Sequence, residues 1–389
     1  MRGDRRFCGL LVALVVVLGA CDWSHAGFGA ARTGFNPSEP ALTATSVQHL
    51  TQAWSAPVET SNVVANGVIY TTKTVDLAPA PNVANAFNVS TGATLWTVNV
   101  PHASAPDAVG NGLVYYGNTV ALDAKTGTPR WSIAQQFLAL DGPRLFAVSN
   151  FYDGTGRSGQ LVAVDPSGKT LWSLTAGGEV TGAVVQGGHL VVVTFIKLDN
   201  PPHGLVVIST YDESSGSLLR RVSVPAQDAN GNVNPAGVGI GQLAASDTLI
   251  YYVTRGGQEV FAADPMSGAV AWHATRAFVW GLAVTPHAVV VTSANQNPQP
   301  SQVTAFNPTT GAALWVSNPT GSVEVPTVAG NLVFIGHIAF NPQVGLLIYD
   351  LSNGALITSS TTLCCGPIPS EGHLFVGGLN GLSAMVPSS

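Results

Sequence analysis

An all-β ring, an eight-bladed β-propeller of four-stranded blades, is the fold class that this 389-residue sequence predicts, and three observations predict it. First, a unit of short apolar strand, acidic or amide residue, Gly turn and usually Trp recurs seven times: Asn88–Trp96, Asp123–Trp131, Asp165–Trp172, Asp212–Arg220, Asp264–Trp272, Asn307–Trp315 and Asp350–Thr358. Its turn glycines, Gly92, Gly127, Gly168, Gly216, Gly268, Gly311 and Gly354, are 35 to 52 residues apart. A period of about 40 residues is the mark of a propeller or solenoid. Second, a short hydrophobic strand entered through a tight turn recurs eight times, from Gly67-Val68-Ile69-Tyr70 to His373-Leu374-Phe375-Val376. Third, the last such strand is followed by Gly381–Val386 and no Trp strand, while Leu50–Ser55, with Trp54, is spare near the N-terminus. Pairing those two stretches closes the ring and hides its edges.

Each blade is expected to run from inner strand A through the tight-turn strand B and strand C to outer strand D. The Asp or Asn ending C bonds backbone two residues on, and Gly supplies the positive φ of the turn. The tryptophans of D (Trp54, Trp96, Trp131, Trp172, Trp272 and Trp315) are expected to fill the gaps between blades. Arg220 and Thr358 stand where two more would be, so those two seams require other packing.

Composition agrees with strands and turns. Gly is 43, Pro is 25, and charged residues are only 9 % of the chain. The net charge of -6, without a cluster of Lys and Arg in the mature region, argues against nucleic acid as a partner. The N-terminus reads as an export signal: Arg2, Arg5 and Arg6 precede the apolar run Leu10–Leu18, too short to span a bilayer comfortably. The run ends in Leu18-Gly19-Ala20-Cys21, which resembles the lipobox of bacterial lipoproteins. That resemblance implies cleavage before Cys21, lipid on Cys21, and a place in the cell envelope outside the cytoplasm. The expected division is a signal peptide over 1–20, a lipidated tether over 21–44, its Gly-, Ala- and Pro-rich part running from Asp22 to about Pro40, and the propeller over 45–389. An ordinary secretory signal ending near a Cys is the plain alternative.

The repeat units resemble the PQQ-like repeat, Ala-x-Asp-x-x-Thr-Gly-x-x-x-Trp, with Val120–Gly127 and Trp131 the best match. That repeat is found in the quinoprotein alcohol dehydrogenases and in the BamB-type lipoproteins of outer-membrane barrel assembly, both eight-bladed. The resemblance covers roughly residues 45 to 386 and speaks for the fold, because the repeated residues are structural and one ring hosts different activities.

Long insertions, Lys73–Asn85, Tyr152–Gly159, Leu198–Gly204, Pro225–Gly237 and Asn295–Ser301, all fall in B–C or D–A connections, whereas A–B and C–D turns are tight. One face is therefore elaborated and the other plain, and a protein partner is expected at the elaborated one. Cys364 and Cys365 lead into the last inner strand. They are either two small thiols or a ring, and the quinoprotein resemblance implies a vicinal disulfide over a quinone. Trp280 begins the sixth inner strand, where a cofactor face or simple channel packing would place it, although the quinoprotein Trp follows the cysteines and Trp280 precedes them. Glu59, Asp107, Glu179 and Glu324 lie near the beginnings of inner strands. Six to eight oxygens would be needed to gather calcium there, and solvated strand ends are the plainer reading. No catalytic residue and no metal site is assigned. His189, His287 and His373 take equivalent places in A–B turns and are too spread to share a metal. The sequence thus supports a monomeric, membrane-anchored binding or scaffold propeller. A PQQ- and calcium-dependent oxidoreductase of alcohols or sugars is the competing reading.

Overall fold

The computed structural model describes residues 22–58, 63–73, 82–100, 105–152, 157–197, 204–224, 243–253, 259–276, 278–293, 301–338, 344–378 and 381–388. Eight sheets surround one axis. Blade 1 runs Val63–Ala65, Val68–Lys73, Asn82–Asn88 and Thr94–Val100, and every later blade repeats this antiparallel A-B-C-D order. Blade 8 consists of Ile368–Ser370, His373–Gly378 and Gly381–Pro387, completed by Leu50–Ala56. That last strand pairs from Leu50↔Pro387 to Ala56↔Leu382, so the ring closes through Trp54 as the repeat arithmetic requires. The core is a set of apolar layers between neighbouring blades, for example Val63, Tyr70, Trp96, Val114 and Tyr116 between blades 1 and 2.

The seams explain the repeat residue by residue. Each Trp of strand D lies on the turn Gly of the next blade. A Cβ added to Gly127 would sit 2.7 Å from the Trp96 ring, and Gly127 also holds φ +72°. Glycine alone meets both demands. The indole Nε1 donates to a backbone carbonyl across the seam: Trp54 to Val89, Trp96 to Ala124, Trp131 to Pro166, Trp172 to Glu213, Trp272 to Pro308 and Trp315 to Leu351, at 2.7–3.0 Å. Opposite each Trp in the neighbouring strand stands a fully buried Ala: Ala384, Ala86, Ala121, Ala163, Ala262 and Ala305. A larger side chain there would occupy the indole's space.

The Asp and Asn residues do what their turns need. Asn88 Oδ1 accepts from Ser90 and Thr91 amides at 3.1 and 2.9 Å, and Asp212 Oδ1 accepts from the amides and hydroxyls of Ser214 and Ser215. Arg130, then Thr126, hold the Asp123 carboxyl down at about 2, and Ser214 and Ser215 do the same for Asp212.

One expectation is corrected. The segment from Asp22 to Pro40 is not a tether. Trp23 is 2 % exposed, and Phe35–Asn36 forms a parallel strand beside Thr327–Ala329 of blade 7. A 3-10 turn, Ser46–His49, then leads into the closing strand and buries Val47.

Candidate functional site

Residues 23 to 36 form a plug across the axis, built on one repeated contact. The inner edge of strand A has no neighbouring strand within its own blade, so its backbone groups need other partners. In six blades one of the last two residues of strand A donates its N–H to a plug carbonyl. These bonds are Val64 to Trp23, Val109 to Ser24, Val185 to Ala30, Ala245 to Ala31, Val284 to Thr33 and Val328 to Gly34, at 2.7–3.0 Å. Blades 3 and 8 use side chains. His25 Nε2 contacts the Leu140 carbonyl and Arg32 donates to the Leu138 carbonyl. In blade 8 the equivalent residue is Pro369, which has no N–H, and its carbonyl accepts instead from Asn36 Nδ2 at 3.0 Å. All eight blades are thus tied to one segment.

Because these positions at the end of strand A adjoin the A–B turns, the plug closes the axis at the plain face. Its backbone is bent hard to do so: Phe28 and Arg32 hold φ of 62° and 52°, a region that non-glycine residues rarely occupy. Surroundings fix these outliers. The Phe28 ring meets Trp23 edge-on at 5.2 Å, and the Gly34 Cα faces Ala283, whose Cβ would be 3.2 Å from any added methyl.

Just inside the plug lies a polar group of three. The Ala26 amide donates to the Asp107 carbonyl, and the side chains of Asp107, Arg32 and His25 share the space. Burial pushes the Asp107 carboxyl up to about 7, against the opposing pull of Arg32. Its Oδ2 is buried with no hydrogen-bond partner. Burial likewise lowers His25, only partly offset by the Leu140 carbonyl and Asp141, and lowers Arg32, partly offset by Asp107.

The other sequence candidates lie apart. Glu179 pairs with Arg157 at 2.6 Å between blades 4 and 3. Glu324 Oε2 accepts the Gly366 N–H at 3.1 Å, and burial raises its carboxyl while that bond opposes the rise. The Glu324 amide donates to Gly336, where any Cβ would strike the Glu324 carboxylate and the Cys364 carbonyl. Glu324 therefore braces the turn that carries Cys364 and Cys365, which are joined in a disulfide. Cys364 is buried, and the pair is stitched to strand B of its blade by Cys364 N–H to Gly377 and Gly377 N–H to Cys365, both 2.7 Å. Trp280 sits on a bulge at the start of the blade 6 inner strand and is 52 % exposed. His189, His287 and His373 stay on blades 4, 6 and 8. Glu59 and Cys21 lie outside the described residues, as do most of the long insertions.

Asp107, Glu179 and Glu324 thus stand on blades 2, 4 and 7 and are not brought together. Among the described residues, no three His, Cys, Asp or Glu side chains are placed to hold a metal ion. The described carboxylates therefore do not fit a calcium-bound quinone. Sequence reasoning missed Trp23, His25, Arg32 and Asn36. The available signal was three large aromatics, Trp23, Phe28 and Phe35, in a stretch otherwise rich in Gly and Ala.

A second feature lies in the seam between blades 7 and 8. Where Thr358 replaces Trp there is a cleft of about 350 Å³, walled by Val47, Leu50, Ile348, Thr358, Leu363 and Met385 among others.

These features define a β-propeller closed at its hub and its rim by its own N-terminal segment. A family profile described as outer membrane protein assembly factor BamB matches residues 80–149 and 134–357, and the chain belongs to this family. No protein of curated function matches it in sequence. Among solved structures, the quinohemoprotein alcohol dehydrogenase of Comamonas testosteroni is similar, with a TM-score of 0.67, 15 % identity, and 93 % of this chain and 77 % of that one covered. BamB of Moraxella catarrhalis gives 0.56 and 15 %, covering 86 % and 99 %. Sqt1 of Saccharomyces cerevisiae gives 0.57 and 10 %, covering 83 % and 93 %. Likeness at this identity shows the fold.

Proposed function

We propose that this protein is a membrane-anchored, extracytoplasmic propeller that binds a protein partner through its B–C and D–A loop face, as a module of envelope protein assembly. Membership of the family described as outer membrane protein assembly factor BamB supports the class. The observation that carries the choice is the fate of the carboxylates. Glu179 is committed to Arg157, Glu324 to the Gly366 amide, and Asp107 faces Arg32 in the plug. Each of the three takes a partner within the scaffold, and they are not gathered among the described residues. Elaborated loops on a rigid ring are the usual carriers of recognition. The anchor is the lipid on Cys21 that the Leu18–Cys21 motif implies, with residues 1–20 removed.

One observation favours the second reading, a PQQ-dependent oxidoreductase: the joined Cys364 and Cys365 at the start of an inner strand. PQQ and calcium added to purified protein separate the two. The scaffold reading expects no change in the quinone spectrum and no dye-linked oxidation of alcohols or sugars. Turnover would overturn it. Crosslinking from cysteines placed in the long loops should then capture one membrane-complex partner, and crosslinks arising equally from plain-face cysteines would count against the loop face.

A further inference from the structure

A protein held by lipid on Cys21 needs some length of chain between membrane and body, and the sequence between Asp22 and Pro40 looks suited to supply it. The structure uses that length elsewhere. Trp23 is already buried and bonded to Val64 of blade 1. Asp22 Oδ1 accepts from the Asn66 amide in the A–B turn of blade 1, at 3.4 Å, and the neighbouring A–B turn of blade 8 presents Glu371. Successive Cα atoms are about 3.8 Å apart, so residue 21 starts within one such step of the plain face. No slack remains.

On this ground, and resting on the anchor reading above, we propose that the plain face of A–B and C–D turns lies directly against the lipid surface, with the loop-bearing face turned away from it. The chemistry of that face fits a headgroup layer held by acyl chains rather than by charge. Its C–D turns expose Ser90, Thr91, Ser215, Thr309, Thr310 and Asn353. The aspartates beneath them are occupied by turn amides, and Asp123 and Glu213 are further paired with Arg130 and Arg144. Among the described residues its C–D turns carry two exposed lysines, Lys125 and Lys169, on different blades, and no polybasic cluster to favour anionic lipid. Attachment is therefore by the chains alone, and facing is set by the short connection. This arrangement leaves the long loops free for a partner at the far side of the ring.

The test uses the full chain, expressed with its own N-terminus and reconstituted into phosphatidylcholine vesicles carrying spin-labelled acyl chains. With Cys364 and Cys365 in a disulfide and Cys21 acylated, one introduced cysteine takes an environment-sensitive fluorophore. Ser90→Cys and Thr309→Cys mark the plain face, and Tyr152→Cys marks the opposite end of blade 3, where Tyr152 is 75 % exposed. The proposal predicts a severalfold greater loss of fluorescence at Ser90→Cys and Thr309→Cys than at Tyr152→Cys, unchanged when anionic lipid is added. Equal loss on both faces, or greater loss at Tyr152→Cys, would overturn the facing while intact mass still shows acyl chains on Cys21. A mass without acyl chains would overturn the anchor reading itself, and the facing with it. Inserting 20 Gly/Ser residues between Cys21 and Asp22 gives a connection of about 25 Å and should abolish the difference. If the difference survives that insertion, the short connection is not its cause and the proposal fails.

Discussion

Six of the eight seams hold an indole and two do not, and the comparison shows that the repeat residues come as sets. In a latched seam Trp lies on Gly, faces Ala, and donates to a carbonyl across the gap. Between blades 4 and 5, Arg220 replaces the Trp and Thr210 replaces the Ala. Thr210 Oγ1 then donates to the Pro265 carbonyl at 3.1 Å, the acceptor an indole would have used, and Val222 covers Gly268 in place of a ring. That seam is repacked. Between blades 7 and 8, Thr358 replaces the Trp and Ile348 the Ala, but blade 8 has no C–D turn to close against, since its outer strand comes from the N-terminus. The Ser46–His49 turn fills part of the gap and the cleft remains. Losing one member of the set releases the others.

Five substitutions, in four experiments, break or sharpen this comparison. Trp96→Ala, in a latched seam, is expected to cost about 3–5 kcal/mol by chemical denaturation, since it empties a buried slot. A loss below 1 kcal/mol would mean that the indole is not what closes the seam. In the plug, Asn36→Ala strips the buried Pro369 carbonyl of its donor and should cost about 1–3 kcal/mol, with an unchanged denaturant slope. Ile348→Ala combined with Thr358→Trp rebuilds the latch in the open seam. A double-mutant cycle should give favourable coupling of about 0.5–3 kcal/mol, and zero coupling would deny that Ala and Trp act together.

The smallest effect is one of pH. Asp107 ionises near 7 in the folded ring, far above an unfolded aspartate. A group with a raised folded pKa stabilises fully below its unfolded value, and that contribution is lost as pH rises through about 4 to 7. His25, lowered by burial, acts in the opposite direction, losing stability as pH falls below its unfolded range. Asp107→Asn isolates the first of these. Its melting temperature relative to the parent protein should rise between about pH 4 and 7 and level off above that. A flat difference would remove Asp107 from the buried group.

Much of the ring was legible because its signals are local and repeated. Gly at +72°, Asp capping its own turn, and Trp at fixed spacing each leave a mark within ten residues. Closure through Trp54 was legible by counting, because one strand lacked a blade and one blade lacked a strand. The plug was not legible. Gly and Ala suit a loose connector and a tightly packed backbone equally well, and here they permit close approach, as Gly34 does against Ala283. Its partners are backbone atoms in eight separate blades, from Val64 to Pro369, which leave no pattern in the side chains. The described acidic candidates, Asp107, Glu179 and Glu324, stand near strand starts as the sequence suggested, but the partner each side chain takes leaves no local mark. Glu324 proved to brace the cysteine turn rather than to line an ion site.

Whether residues 22 to 36 are hub or tether is decided most directly by amide hydrogen exchange of that peptide in the native full-length protein. The amides of Ala26, Phe28, Arg32 and Gly34 are bonded within or beneath the ring. Exchange slowed to the level of the inner strands is the predicted result. Exchange at the rate of a free peptide, with the blades still protected, would contradict the plug and everything built on it.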